Sequence, residues 1–174
     1  MRLCTLLTAA ALAISGVVLP SPAAHAVSLD VSCAGTETVT YRPGLLFTPQ
    51  TVNVTVNGIL APCTSSDPNI TAGTYLQSFT TTLSCSTLVG GLAATRVFNW
   101  SNGQSSTFSY NRAINDVGGQ TTVTFTGAIV SGRFEGDTAI EQVVFVTPNT
   151  LECLASPGLT ALGPGVAVLT IDKV

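Results

Sequence analysis

The stretch that decides the fold is Thr95–Tyr110, TRVFNWSNGQSSTFSY. Two β-prone runs flank Asn102-Gly103, the strongest short-range hairpin signal, because both central residues of a type I′ turn need positive φ. A two-residue loop sets Trp100 opposite Ser105, Phe98 opposite Thr107 and Val97 opposite Phe108. Trp100, the single tryptophan of the chain, then shares a strand face with Phe98 and has small residues across from it. A large aromatic is accommodated between two packed sheets in this way.

Outward from the hairpin, the same period of two recurs. Val52, Val54 and Val56 alternate with Thr51, Asn53, Thr55 and Asn57, the pattern of a half-buried antiparallel strand, which Gly58 can bulge. Tyr75 to Cys85 reads as a strand with Tyr75, Phe79, Leu83 and Cys85 on one face, Phe79 and Leu83 being core candidates. Leu29 to Cys33 and Thr38 to Tyr41 give two short strands, separated by Ala34-Gly35 and ended by Pro43-Gly44. Beyond the hairpin, Asn111 to Gly119 reads as a loop. Gln120 to Phe134 is a strand pair or one bent strand, with a bulge suggested by Gly127. Ile140 to Val146 is a strand, Leu151 to Leu154 a short strand carrying Cys153, and Val166 to Ile171 the last strand. Strands at this spacing, with no amphipathic helix of useful length, predict an all-β fold: an antiparallel β-sandwich, Ig-like but elaborated, of about 8–10 strands.

The chain opens MRLCTLLTAAALAISGVVLPSPAAHA. Arg2 precedes an apolar run from Leu3 to Leu19, Pro20 and Pro22 break it, and Ala24-His25-Ala26 is a small-x-small cleavage signal. Residues 1–26 read as a secretory signal peptide and 27–174 as a single secreted β domain. The prolines and the Ala-x-Ala tail argue against a membrane anchor, so no stable membrane insertion is expected after cleavage.

Removal of Arg2 leaves five basic residues against nine acidic ones. Without a basic stripe there is nothing to neutralise phosphates, so nucleic acid is excluded as a partner. Cys33, Cys63, Cys85 and Cys153 are an even set in an oxidising compartment, which reads as two disulfides, each stabilising by about 2–4 kcal/mol. Three pairings are possible. Cys33–Cys63 with Cys85–Cys153 is favoured, because the first brackets the opening strands and the second ties the tail to the middle.

The positions of the cysteines and aromatics carry a further signal. Cys33-x-Gly35, Tyr41-x-Pro43-Gly44-Leu45, Pro62-Cys63-Thr64, Leu83-Ser84-Cys85, Trp100-x-x-Gly103-x-x-Ser106-Thr107-Phe108, Gly132-x-Phe134-x-Gly136-Asp137 and Leu169-Thr170-Ile171 together resemble a family of small secreted actinobacterial proteins. The resemblance implies export and a disulfide-tied β-sandwich. It brings no activity and no catalytic residues.

The chemistry is bounded by what cleavage removes. His25, the single histidine, belongs to the leader, so Ser-His-Asp or Cys-His catalysis and histidine metal sites are not available to the processed chain. No C-x-x-C pair is present, and no cofactor or metal is expected. Carboxylates are the remaining catalytic route. Glu135-Gly136-Asp137 is an acidic turn, and a glycan hydrolase would need two carboxyl groups facing each other across a cleft. The expectation is a secreted, non-enzymatic protein that binds an extracellular small molecule or protein, or presents a surface. The alternatives are that hydrolase and a structural cell-surface protein. The binding patch expected from the sequence is apolar and turn-borne: Leu45, Leu46, Phe47, Leu88 and Val89.

Overall fold

Alternation buries one face of every strand, and the strands are long enough to wrap that face around a lumen. The computed structural model describes residues 28–87 and 93–174. It contains β1 (Ser28–Leu45), β2 (Gln50–Ser65), β3 (Gly73–Leu83), β4 (Ala93–Trp100), β5 (Ser105–Val117), β6 (Gln120–Gly132), β7 (Thr138–Val146) and β8 (Leu159–Lys173). Each strand pairs antiparallel with the next, and β8 returns to β1 with Cys33 opposite Leu169 and Thr36 opposite Val166. The result is a closed eight-stranded up-and-down barrel.

This corrects the expected sandwich. Alternation says that one face is dry and the other wet, and it is blind to whether the dry face meets a second sheet or the far wall of its own. The eight strands fall within the expected number, but several are longer than the turn residues imply. The two short opening strands are one, since Ala34-Gly35 makes a register irregularity and not a turn, and Pro43-Gly44 lies within β1. Asn111 to Val117 extends β5 instead of forming a loop. Neither Gly58 nor Gly127 bulges its strand. Leu151 to Leu154 belongs to a 3-10 helix, Thr150–Leu154, whose first turn is capped by Asn149 Oδ1 accepting from the Leu151 N–H at 3.1 Å.

The central hairpin forms one residue out of the expected register. Phe98 lies opposite Ser106 and Val97 opposite Thr107. The Trp100 N–H donates to the Gln104 carbonyl at 2.8 Å, so the loop has three residues, with Gly103 at φ 83°. A shift of one residue exchanges the faces of a strand. Here it turns Ser106, Phe108 and Tyr110 inward beside Phe98 and Trp100.

Both expected disulfides form, Cys33–Cys63 and Cys85–Cys153. They fit the oxidising setting the sequence implies. The first joins register partners on β1 and β2. The second links the segment after β3 to the 3-10 helix and brackets the β1–β2 turn: the Cys85 N–H donates to Leu46 O at 2.9 Å, and the Phe47 N–H to Cys153 O at 3.3 Å. Outward positions are largely Thr, Ser and Asn, interspersed with exposed aliphatics such as Ile59, Leu76, Ile140 and Val166, and carry almost no charge.

Candidate functional site

The barrel is filled at one end and hollow at the other. The filled end carries both termini of the barrel and the β2–β3, β4–β5 and β6–β7 turns. A chain of ring contacts occupies it, from Tyr75 through Phe98 to Trp100 and Phe108, with centroid separations of 5.6–5.8 Å. Phe134 closes this end by meeting Trp100 edge-on at 6.0 Å. Its backbone sits at φ 67°, a region costly for a residue with a Cβ, and the burial of its ring offsets that cost. The Trp100 indole N–H donates to Ser106 Oγ at 2.8 Å, which satisfies the one polar atom of that side chain.

Above the rings lies a plate of charge. Arg96 on β4 crosses the lumen to two carboxylates, Glu141 on β7 through Nη1 and Oε2, and Glu37 on β1 with Nη2–Oε2 at 3.1 Å. Its Nε donates to Gln77 Oε1 at 3.0 Å, and the Tyr75 hydroxyl donates to Glu37 Oε2 at 2.7 Å. The guanidinium carbon stands 4.0 Å from the Tyr75 ring centroid and 4.5 Å from that of Phe125, a double cation–π contact in a dry setting. Gly58 makes room for the Tyr75 ring: a Cβ there would lie 1.9 Å from Tyr75 Cζ. Arg96, Glu37 and Glu141 are 2 %, 3 % and 0 % exposed.

One cation serves two anions in this plate. Burial pushes the Glu141 carboxyl from 4.5 up to about 7; Arg96 opposes the rise and the neighbouring Glu37 reinforces it. Glu141 Oε1 is buried without a hydrogen-bond partner, which leaves its charge poorly solvated.

Past the plate the lumen opens into a cup of about 530 Å³. Its walls are Val39, Val54, Val56, Val123, Phe145 and Leu162, and Arg96 and Glu37 show at its floor. Tyr41, Tyr110 and Arg112 supply polar groups along the wall. The Tyr41 hydroxyl is held well above the usual range by burial, against the lowering effect of Arg112. At the mouth, Thr121 Oγ1 donates to Asp116 Oδ1 at 2.5 Å, and Cys85 marks the rim. Among the described residues no group of three His, Cys, Asp or Glu converges as metal ligands.

The expected turn-borne patch is not assembled as one site among the described residues. Leu45 is buried in the core, Leu46 is half-buried and Phe47 exposed. None of the three lines the cup, and Leu88 and Val89 lie outside the described residues, as does the leader. Of the two core candidates on β3, Phe79 is half exposed and lines the cup, with Leu83 beside it. The acidic turn sits at the opposite end of the barrel, around a shallow depression with Asp30, Arg133 and Lys173. Burial raises the Asp137 carboxyl, and so do the hydrogen bond that its protonated form donates to the Asp30 carboxylate and the charge of that carboxylate.

The plate escaped the sequence reading, although a signal was present. Glu37 alternates with Val39 and Tyr41, Arg96 with Phe98 and Trp100, and Glu141 with Val143 and Phe145. A charged residue in register with an apolar face is destined for the interior, where it needs a partner. With the geometry in hand, comparison with known proteins adds no relative: no family model, no curated protein and no solved structure matches the chain.

Proposed function

We propose that the protein is an extracellular binding protein that receives one amphipathic small molecule in the cup, apolar body against the valine-rich wall and polar end toward Tyr41, Tyr110 and Arg112. The observation that carries this reading is the half-empty barrel. An eight-stranded barrel is just wide enough to be filled by side chains or to hold one small ligand, and here the lower half is filled while a cavity of about 530 Å³ remains above. That volume lies within the range of small-molecule sites, and its lining, mostly apolar with a few convergent polar groups, is theirs too. A predominantly apolar lining of this kind supports binding.

An anilinonaphthalene sulfonate probe, titrated calorimetrically and by fluorescence into the native protein, tests the proposal. It is expected to bind at one site. Leu162→Trp, which projects an indole into the cup from a half-buried position, is expected to weaken binding at least about tenfold, whereas Phe47→Ser leaves it unchanged. Failure of the folded protein to bind the probe, or equal binding by the Leu162 variant, refutes it.

A further inference from the structure

The barrel has a weak seam. β3 and β4 pair only at Gly73 with Trp100 and at Thr74 with Asn99, whereas every other neighbouring pair is joined along most of its shorter strand. Beyond Thr74 both strands continue, β3 held by β2 as far as Leu83 and β4 held by β5 as far as Ala93. Two strand edges therefore face each other with no ladder between them among the described residues. At the level of Gln77 the gap is spanned by a side chain: Gln77 Nε2 donates to the Thr95 carbonyl at 2.5 Å. In a paired sheet the backbones would meet directly, about 4.8 Å apart.

The seam also opens on the cup. Thr80, which alternation turns outward, lines the cavity together with Phe79, Thr81 and Ala94. Exposed edges in soluble proteins are normally blunted by lysine, proline or a bulge. Neither strand has such a guard here: the single charged side chain on either is Arg96, which points inward to its carboxylates.

We propose that this slot is an acceptor for an extended, uncharged peptide with apolar side chains at alternate positions, which completes the sheet between β3 and β4 and places its inward side chains in the cup. Backbone polarity defines the fit. Thr95 O faces the slot, and in an antiparallel strand a residue's N–H and C=O share one edge, so those of Thr95 and Val97 are presented together. The inserted strand runs antiparallel to one wall and parallel to the other. Its inward residues meet Phe79, Ala94 and the valine wall, which selects apolar side chains. A charged residue would meet an Arg96 already paired with carboxylates, which selects against charge. The recognition is strand addition, in which main-chain hydrogen bonds give affinity and alternate side chains give specificity.

The test uses a capped synthetic peptide that copies Thr51–Asn57, the chain's own alternating segment, between two solubilising lysines. Amide hydrogen exchange is followed on the full processed protein. Saturating peptide is expected to slow exchange at Thr95 and Val97 at least about tenfold. A version N-methylated at alternate residues is expected to bind at least tenfold more weakly. Val97→Pro removes one slot-facing N–H and should weaken the peptide similarly, while Val97→Thr should not. Unchanged exchange, or equal binding by the N-methylated peptide on the unaltered protein, overturns the proposal. So does a peptide-free dimer in which those amides are already protected, since a second copy then fills the slot. Probe binding without peptide protection leaves the small-molecule reading standing and removes this one; peptide protection without probe binding does the reverse.

Discussion

Replacing Glu141 by Gln isolates the energetic cost of the charge plate. In the folded chain burial holds the Glu141 carboxyl near 7 against 4.5 when exposed. Each pH unit of that interval corresponds to about 1.4 kcal/mol, so ionising Glu141 inside the barrel costs about 3 kcal/mol. The sign follows from which state holds the proton more tightly. The folded state does, so this contribution to stability is fully present below about pH 4.5 and is lost as pH rises through about 7. Glu141→Gln keeps the shape, lets the amide oxygen accept from Arg96, and leaves Arg96 neutralised by Glu37. The expected result is a variant that lacks the loss of stability Glu141 imposes as pH rises from 5 to 8, and which exceeds the parent at pH 8. Urea unfolding at several pH values, with disulfides intact and Trp100 fluorescence as the probe, measures this directly. The difference between variant and parent is the quantity to read, because it cancels the titration of Asp137, which is also raised. Parallel stability curves for the two proteins across that range would refute the reasoning.

The same structure fixes other outcomes. Arg96→Met removes the cation that joins Glu37 to Glu141, and breaking such a pair costs about 3–5 kcal/mol. At roughly 2–4 °C per kcal/mol for a chain of this size, the melting temperature should fall by roughly 6–20 °C at pH 8, and by less at pH 5, where Glu141 keeps its proton. Gly58→Ala drives a methyl group into the Tyr75 ring, and thermal unfolding should show a loss of about 1–3 kcal/mol or more. Replacing Cys85 and Cys153 together by Ser releases a loop of 68 residues in sequence separation. By chain entropy alone this costs about 4 kcal/mol, and amide exchange should accelerate at the β1–β2 turn that the disulfide brackets.

Much of the barrel was legible in single strands and almost none of it in their assembly. Val52, Val54 and Val56, Val123 and Phe125 all point inward as their alternation requires. Closure depends on β8 meeting β1, a pairing between residues more than a hundred positions apart, and no local pattern encodes it. Turn residues misled where they were read as terminators. Ala34-Gly35 lies within β1 because β2 and β8 hold that strand from both sides, whereas Pro43-Gly44 falls in a break of the ladder, after the last pair with β2 at Arg42 and before pairing with β8 resumes at Leu45. The Asn102-Gly103 pair announced a hairpin correctly, yet its type could not be read. With Asn102 Oδ1 accepting from the Gln104 N–H at 3.0 Å, the side chain builds a three-residue loop in place of the two-residue one. The site was the least legible part, because an ion pair across a lumen joins β1, β4 and β7, whose sequence distances carry no signal of proximity.

Stability alone does not account for this interior. Exchanging a buried ion triad for apolar residues of similar volume is often neutral, or stabilising by about 1–4 kcal/mol. Yet outside residues 1–26, a chain with five basic residues turns two of them, Arg96 and Arg112, toward the lumen. Side-chain size along the strands explains what the plate accomplishes. From the filled end to the mouth, β4 presents Trp100, Phe98, Arg96 and Ala94, and β2 presents Leu60, Gly58, Val56 and Val54. The rings below fill the barrel's cross-section; above them the inward residues of β2 and β4 are too short to reach across the lumen. Arg96 sits at that change of size and anchors three strands at one height, which blocks the aromatic core from shifting upward to fill the space. On the β2 and β4 side of the barrel the cavity follows from inward side chains that shrink toward the mouth, and the ion plate marks the height at which they do.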